Sequence, residues 1–365
     1  MATAPPADLL GVSIELPEAS PTLEVRKVCV VWNPFSGKGK GRKAHAFVVP
    51  KLQQAGIAVT SFQTARAKHA QDLVAREIED FDEYDVVCVV GGDGTLNEVV
   101  NGLALRTQAL SDGAGAQELP CCKPIALIPG GTGNSFAMDL GFTGRKAVQT
   151  ALQALLGGRL RSCDAALVKM SAPQEGPSDA PVKEEARYMV NLVGLGIGVD
   201  ANLRAEWWRC CGPIRYDWSI LLEILAIDVN KGDSQTVTVY SEPAAEGGQA
   251  VGESTTFEKG VGIVMIQNTV HGGAGLKLAP NALIDDGYMD LIMADKLGSL
   301  ATLGLFNKVK AGGKHVHDPR VTEKKFTRLT FTSETEKWVN IDGENCGKTP
   351  IDVTVKPRMF QVFAL

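Results

Sequence analysis

One pattern occurs three times in the first half of the chain: a short apolar, β-branched run, a glycine-rich turn, and then apolar residues at helical spacing. The three runs are Val28–Trp32, Val86–Val90 and Ile125–Ile128. Because each short strand leads directly into a turn and a helix, the pattern predicts parallel strands joined by helical crossovers. The sequence therefore predicts an N-terminal doubly wound α/β domain.

Each run ends in a glycine turn. We name them the first turn (Asn33–Gly41), the second turn (Gly91–Thr95) and the third turn (Pro129–Asn134). Glycine accounts for 39 of the 365 residues, well above the usual level of about 7%. Since ligands of doubly wound sheets bind outside the carboxyl ends of the strands, we expect the three turns to meet at one edge and build a site from backbone atoms.

The helix after the second turn is indicated by Leu96, Val99 and Leu103, with Gly102 expected near its end. The segment 107–120, rich in Gly, Ala, Ser and Gln, is predicted to be an inserted surface loop.

Beyond about Arg161 the pattern changes to short alternating strands, such as Thr236–Tyr240, Gly262–Ile266 and Phe326–Thr332. These predict a mainly antiparallel β domain, interrupted by one helix from about Ala201 to Asp228.

The predicted organisation is a flexible tail over 1–24, a nucleotide-binding catalytic domain over 25–160 and a β-rich, lipid-binding domain over 161–365. This pattern also allows the last strand, around Phe360 to Leu365, to return to the first domain.

Charge and composition exclude several classes of protein. A net charge of −5 leaves no electrostatic footprint for nucleic acid. The eight cysteines include no CxxC spacing, which favours a reduced, cytoplasmic protein. No run approaches the roughly 20 apolar residues of a spanning helix, so we expect membrane contact to be peripheral.

Asp93 stands among the glycines of the second turn, directly before a predicted helix. Glycines and a helix N-terminus suit a phosphate, whereas a carboxylate there repels one unless it handles Mg²⁺ or a hydroxyl proton. The simpler interpretation is a helix cap, a common role of aspartate. Two further glycine turns favour the catalytic interpretation.

The motifs Asn33–Gly37, Gly91–Gly102 and Pro129–Asn134, in this order and spacing, resemble the catalytic domain of the diacylglycerol kinase and sphingosine kinase superfamily. The resemblance continues through Thr64–Ala70, Gly272–Pro280, Asp285–Gly287 and Ile341–Glu344, and it covers the chain from about Lys27 to the C-terminus.

This resemblance implies phosphoryl transfer from ATP, with Mg²⁺, to a primary hydroxyl of a sphingoid base or diacylglycerol. It makes Asp93 the catalytic acid–base residue. It also implies nucleotide contacts from Asn33, Phe35, Ser36, Gly37, Thr64, Lys68, Gly92, Gly94, Thr95, Glu98, Gly131, Thr132, Gly133, Arg209, Arg215 and Glu344.

The late turn Asp342-Gly343-Glu344 follows a predicted strand, and its simplest interpretation is a hairpin. In the family this turn faces the nucleotide and its magnesium. The resemblance therefore makes Asp342 a second candidate base and makes Asp342 and Glu344 candidate metal contacts.

The acceptor site is implied to lie near Asp200 and Asn202. Sphingosine kinases carry an acid at the second of these positions, and Asn202 brings no charge to pair with an ammonium group. Two alternatives follow. Either Asp200 takes the role of the missing acid, or the acceptor lipid is uncharged.

Three further features leave alternatives open. Asp285–Gly287 is either a turn or part of a non-catalytic magnesium site. The apolar helix that includes Trp207, Trp208 and Trp218 is either core or a lipid gate. The basic run Lys38–Lys43 either approaches the phosphates or is a solvated helix start.

Two rival functions remain: an NAD kinase-like enzyme with a similar GGDG turn, and a non-catalytic lipid-binding regulator. The sequence does not indicate an oligomeric state.

Overall fold

The computed structural model describes residues 22–111, 121–172, 183–196, 199–200, 214–227, 232–242, 252–258, 260–273 and 275–365.

The strands are numbered in chain order. They are β1 (Lys27–Trp32), β2 (Ala58–Gln63), β3 (Val86–Gly91), β4 (Ile125–Pro129), β5 (Leu160–Ser171), β6 (Glu184–Met189), β7 (Leu192–Gly196), β8 (Gln235–Tyr240), β9 (Glu253–Phe257), β10 (Val261–Gln267), β11 (His271–Gly272), β12 (Leu276–Lys277), β13 (Met289–Asp295), β14 (Val321–Phe326), β15 (Arg328–Ser333), β16 (Trp338–Ile341) and β17 (Glu344–Phe363).

The α-helices are α1 (Lys40–Gln54), α2 (His69–Asp72), α3 (Asp93–Ser111), α4 (Ser135–Asp139), α5 (Ala147–Gly157), α6 (Ile214–Leu225) and α7 (Ser299–Lys310). Among the described residues, none of these helices has the length and apolar character needed to cross a bilayer.

The first half of the chain forms a parallel sheet in the order β2-β1-β3-β4. Every residue of β3 and β4 is buried, as expected when helices cover both faces of a parallel sheet. The second half is mainly antiparallel. The predicted fold class, an α/β domain followed by an antiparallel β domain, is confirmed.

The long strand β17 joins the two halves. It pairs antiparallel with β5, β15 and β16, and near its end Val362 lies opposite Ile125 of β4 in parallel. One sheet thus runs through both halves, and each half has its own apolar core. Strand β17 thus connects the late turn at its start to the parallel sheet at its end, with two shifts of register along its pairing with β5.

Three local expectations are wrong. Helix α3 does not end near Gly102 but continues to Ser111, so the first residues of the predicted loop 107–120 are helical. Gly102 is used for packing, since a Cβ there would lie 2.7 Å from the carbonyl oxygen of Gln71. The β domain also contains α7, which the strand pattern did not predict.

The predicted helix over Ala201–Asp228 is seen as α6, which begins at Ile214. Residues 201–213 and 228 lie outside the described part of the chain.

Candidate active site

The three glycine turns follow neighbouring strands of the parallel sheet. The amide of Asn33 in the first turn donates to the carbonyl of Val90, with N···O 3.0 Å. The amide of Gly130 in the third turn donates to the carbonyl of Gly91 in the second, with N···O 2.7 Å. Because β1, β3 and β4 lie side by side, their carboxyl ends deliver all three turns to one place.

The turns touch through backbone atoms where only glycine fits. A Cβ on Gly131 would lie 2.5 Å from the Cα of Gly92. Gly37 has a φ of +57°, and a Cβ there would lie 2.4 Å from the carbonyl oxygen of Gly130. These contacts confirm the expectation that the three turns converge.

Asp93 is the first residue of α3, and its carboxylate faces the start of α4. One oxygen accepts the amide of Ser135 at 3.0 Å and the other accepts the amide of Phe136 at 3.2 Å. Asp93 therefore caps a neighbouring helix, so the cap interpretation is right in kind but concerns α4. Burial raises the pKa of Asp93 above its usual value, although these hydrogen bonds oppose the shift.

Each oxygen of Asp93 has one of these donors within hydrogen-bond distance, and the backbone of Asn134 and of Asp93 itself also lowers its pKa. An ionised carboxylate offers about four acceptor positions, so Asp93 keeps capacity to accept a further proton or hydrogen bond. A raised pKa makes a carboxylate a better proton acceptor near neutral pH. The geometry and the electrostatics both suit a general base.

The first turn is shaped by Asn33, whose side-chain oxygen accepts the amide of Phe35 at 2.9 Å. Phe35 itself is 72% exposed, so its ring stands free at the rim. Ser36 and Gly37 follow in a short 3₁₀ turn that leads into α1.

Glu98 ties a second loop to α3. Its carboxylate accepts the amides of Lys68 and Ala70, both at 3.0 Å. Burial raises the pKa of Glu98. Thr64, at the start of this loop, is buried and donates its amide to the carbonyl of Trp32 at 2.9 Å. The loop 64–68 is therefore fixed beside the first turn and α3.

The remaining predicted residues of the second and third turns differ in exposure. Thr95 is buried beneath Gly91, whereas no atom lies within 4 Å of a Cβ built on Gly94. Gly131 is buried and Thr132 is exposed. The tip of the third turn is thus open to solvent.

Asp342 occupies the late turn with a φ of +50°. Its carboxylate accepts the amides of Val190, Asn191 and Leu192, each at 2.8 Å, and the side-chain amide of Asn97 at 2.6 Å. Burial raises the pKa of Asp342 to about 6 against these hydrogen bonds, which lower it.

Asn97 connects the late turn to the second turn. It lies four residues after Asp93 on α3, so the two side chains are neighbours on one helix face, about 5–6 Å apart at Cβ. Its oxygen accepts Arg187 Nη2 at 2.8 Å, and its nitrogen donates to Asp342 and to the carbonyl of Tyr188. Asn97 therefore ties helix α3, which begins at Asp93, to Asp342 of the late turn.

Arg187 completes this network. Its guanidinium is buried and pairs with Glu344 at 2.8 Å. We did not predict Asn97, Asn101 or Arg187. The sequence did contain a signal for the two asparagines, because they are polar residues four positions apart on an otherwise apolar helix. In the structure Asn101 bonds the backbone of Tyr188 through both its side-chain oxygen and its side-chain nitrogen. Arg187 stands in no motif.

The fit of magnesium to the late turn can be judged from these contacts. The four donors to Asp342 fill the acceptor positions of a carboxylate, so in this arrangement Asp342 has none left for a metal ion. Glu344 is partly exposed and has one oxygen paired with Arg187. Within the described residues, no group of three or more His, Cys, Asp or Glu side chains forms a metal cage.

Each of the two acids in the turn Asp285–Gly287 has a basic partner, although Lys325 is shared with Asp290. Arg161 Nε lies 2.8 Å from Asp285, and Lys325 Nζ lies 2.7 Å from Asp286. These pairings favour the interpretation as a structural turn.

Part of the predicted acceptor region lies outside the described residues. Asn202, Trp207, Trp208 and Arg209 lie outside the described residues, and the side chains of Arg215 and Trp218 in α6 are not described. Asp200 is exposed.

Two family models match the chain. Residues 27–168 match the diacylglycerol kinase catalytic domain, and residues 192–364 match the YegS C-terminal NAD kinase beta sandwich-like domain. The two models together cover both halves of the fold.

Relatives and solved structures agree with this match. A diacylglycerol kinase of Staphylococcus saprophyticus is 28% identical over 343 residues, covering 93% of this chain and 95% of the relative. One of Staphylococcus aureus is 28% identical over 344 residues, covering 93% and 92%. The crystal structure of a diacylglycerol kinase from Bacillus anthracis has the same fold, with a TM-score of 0.65, 23% identity, and coverage of 94% of this chain and 98% of that one.

Proposed function

The chain belongs to the diacylglycerol kinase superfamily and is a lipid kinase, and from this premise we propose that it transfers the γ-phosphate of ATP to the primary hydroxyl of diacylglycerol. The names of its relatives support this acceptor. Asn202 supports it as well, because an amide brings no charge to hold the ammonium group of a sphingoid base.

The observation that carries the proposal is the setting of Asp93. Its carboxylate lies beside the three converged turns, keeps free acceptor capacity, and has a pKa raised by burial. In the proposed reaction Asp93 accepts the proton of the lipid hydroxyl while the hydroxyl oxygen attacks the γ-phosphorus of ATP. ADP is the leaving group. Positioning and charge neutralisation supply most of the rate in phosphoryl transfer.

We assign the converged turns to the triphosphate of ATP. Gly37, Gly92 and Gly131 bring backbone close together, and helix α3 begins at the second turn, so its N-terminus favours negative charge. Magnesium enters in this scheme as the Mg·ATP substrate. Glu344, the partly exposed carboxylate of the late turn, is then the residue that contacts it.

Asp342 receives a different role. We propose that it positions the late turn against α3 through its four hydrogen bonds, so that Glu344, held by the buried Arg187, stands at the nucleotide. This replaces the prediction that Asp342 is itself a base or a metal ligand. The protein reaches its lipid by peripheral contact with a membrane.

The test is transfer of labelled phosphate from ATP by the purified chain, resolved by thin-layer chromatography. Dioctanoylglycerol, sphinganine, ceramide and NAD are offered separately. We expect label in phosphatidate. Label only in sphinganine phosphate would contradict the acceptor assignment, and label only in NADP would favour the NAD kinase-like alternative. The absence of any labelled product would favour the non-catalytic regulator.

A further inference from the structure

A histidine–aspartate pair links the two halves of the molecule. Asp139 is the last residue of α4, the helix that follows the third turn, and its side chain is only 6% exposed. One carboxylate oxygen lies 2.5 Å from Nδ1 of His271 in β11, and the other accepts the amide of Val270 at 2.6 Å. Two residues 132 positions apart in the chain are thus joined at one carboxylate. The proposed reaction gives neither of them a role.

The carboxylate decides which nitrogen of the imidazole carries the proton. An ionised carboxylate only accepts hydrogen bonds, so Nδ1 of His271 donates to Asp139 and holds the proton. In the neutral ring Nε2 is then unprotonated. A ring with a second proton keeps the donor at Nδ1, so the hydrogen bond to Asp139 is available in both charge states of His271.

Helix α4 connects this pair to Asp93. The amides of Ser135 and Phe136, at the start of α4, donate to the two oxygens of Asp93. Asp139 lies three residues after Phe136, which is a rise of about 4.5 Å along a helix. Because α4 is only five residues long, a displacement of its last residue also moves the amides that hold Asp93.

The other side of the pair packs close to the backbone that holds the late turn. A Cβ built on Gly272, the residue after His271, would lie 2.1 Å from Cδ1 of Leu278 and 3.6 Å from Cδ2 of Leu192. The amide of Leu192 donates to Asp342 at 2.8 Å. The segment 270–272 therefore contacts α4 on one side and the support of Asp342 on the other.

We propose that His271 is a positioning residue for phosphoryl transfer, which holds α4 through Asp139 so that the first amides of this helix stay on Asp93. This role rests on the proposed function of Asp93 as the base. Helix α4 also has an apolar anchor, because Phe136 is fully buried and its ring centroid lies 5.7 Å from that of Phe360. Loss of the histidine is therefore expected to shift α4 without unfolding the chain.

Three variants separate the donor at Nδ1 from the other ring nitrogen. Asparagine carries an amide donor near the position of Nδ1, whereas glutamine carries it near the position of Nε2. We expect His271→Ala and His271→Gln to lower kcat about tenfold to 100-fold, the effect of a small misplacement in an active site. His271→Asn should recover most of this loss. The KM for ATP should change little, because the glycine turns remain. Turnover is measured as labelled phosphatidate formed from dioctanoylglycerol.

The pH profile of kcat/KM supplies a second readout for the same variants. The amides that donate to Asp93 lower its pKa, so weaker contacts with them would raise that pKa. A base acts in its ionised form, and activity is lost as the pH falls through its pKa. The acid limb should therefore move to higher pH in His271→Ala and His271→Gln but stay in place in His271→Asn. A general loss of stability would lower activity without this movement.

Hydrogen exchange of the full chain separates failure of this inference from failure of the proposed function. The amides of Ser135 and Phe136 should exchange faster in His271→Ala than in wild type or in His271→Asn. This change without any kinase activity in wild type would support the positioning of Asp93 and contradict only the proposed function. Unchanged exchange in His271→Ala, an unmoved acid limb, or recovery by His271→Gln and not by His271→Asn would each overturn the positioning role.

Discussion

The second turn and the late turn each present an aspartate followed by glycine, yet the two carboxylates stand in different surroundings. Asp93 accepts two backbone amides, one at each oxygen. Asp342 accepts four donors, two at each oxygen. Burial raises the pKa of both. From this difference in geometric hydrogen bonds we expect that Asp93 acts on the substrate and that Asp342 holds the late turn in place.

The replacement Asp93→Asn is expected to have the largest effect on activity. It removes the proposed base and should lower kcat about 10³-fold, in the usual range for general acid–base catalysis. ATP affinity should change little, because the glycine turns remain. Both quantities are measured with labelled ATP, by turnover and by equilibrium binding.

Asp85→Asn is the matched control for that variant. Asp85 also accepts two backbone amides, from Arg26 and Lys27, but it precedes β3 at the opposite end of the sheet. We expect near-normal turnover in this control. Near-normal turnover in Asp93→Asn as well would remove Asp93 from the mechanism.

The replacement Asp342→Asn should instead act mainly on stability. An amide nitrogen cannot accept, so two of the four donors lose their partner. At about 1–3 kcal/mol for each buried donor left unsatisfied, we expect a loss of about 3 kcal/mol in the free energy of unfolding, measured by urea denaturation. Unchanged stability together with abolished turnover would make Asp342 the base.

The convergence of the turns is tested by a pair of glycine variants. Gly131→Ala places a Cβ 2.5 Å from the Cα of Gly92, and relief of such a clash costs about 2 kcal/mol. It should also weaken ATP binding. Gly94→Ala is the control for stability, since its Cβ meets no atom within 4 Å. Equal unfolding free energies in the two variants would mean that the turns do not touch.

The pH dependence of kcat/KM gives the smallest expected effect, but it distinguishes Asp93 from Asp342 as the base most directly. Because burial raises the pKa of Asp93, kcat/KM should fall on acidification at a pH above the ordinary aspartate value of about 3.9. The base must be ionised, so activity is present above its pKa and is lost below it. This acid limb should persist in Asp342→Asn. Its disappearance there would assign the limb to Asp342.

The sequence by itself determined the three strand–turn–helix units, because the period of apolar residues and the glycine clusters are local properties. It also placed Asp93 directly before a helix, and in the structure Asp93 is the first residue of α3. The same local reasoning misplaced the end of α3. Gly102 is needed for close packing against Gln71, a residue distant from it in the sequence, and does not mark the end of the helix.

Only the tertiary structure decided how the two acids differ. The donors to Asp342 come from residues 190–192 and from Asn97, about 150 and 245 positions away in the chain. No local pattern records how many donors meet a carboxylate. For the same reason the sequence did not reveal Arg187. Its partners Asn97 and Glu344 are far from it in the chain, and the tertiary structure brings them together.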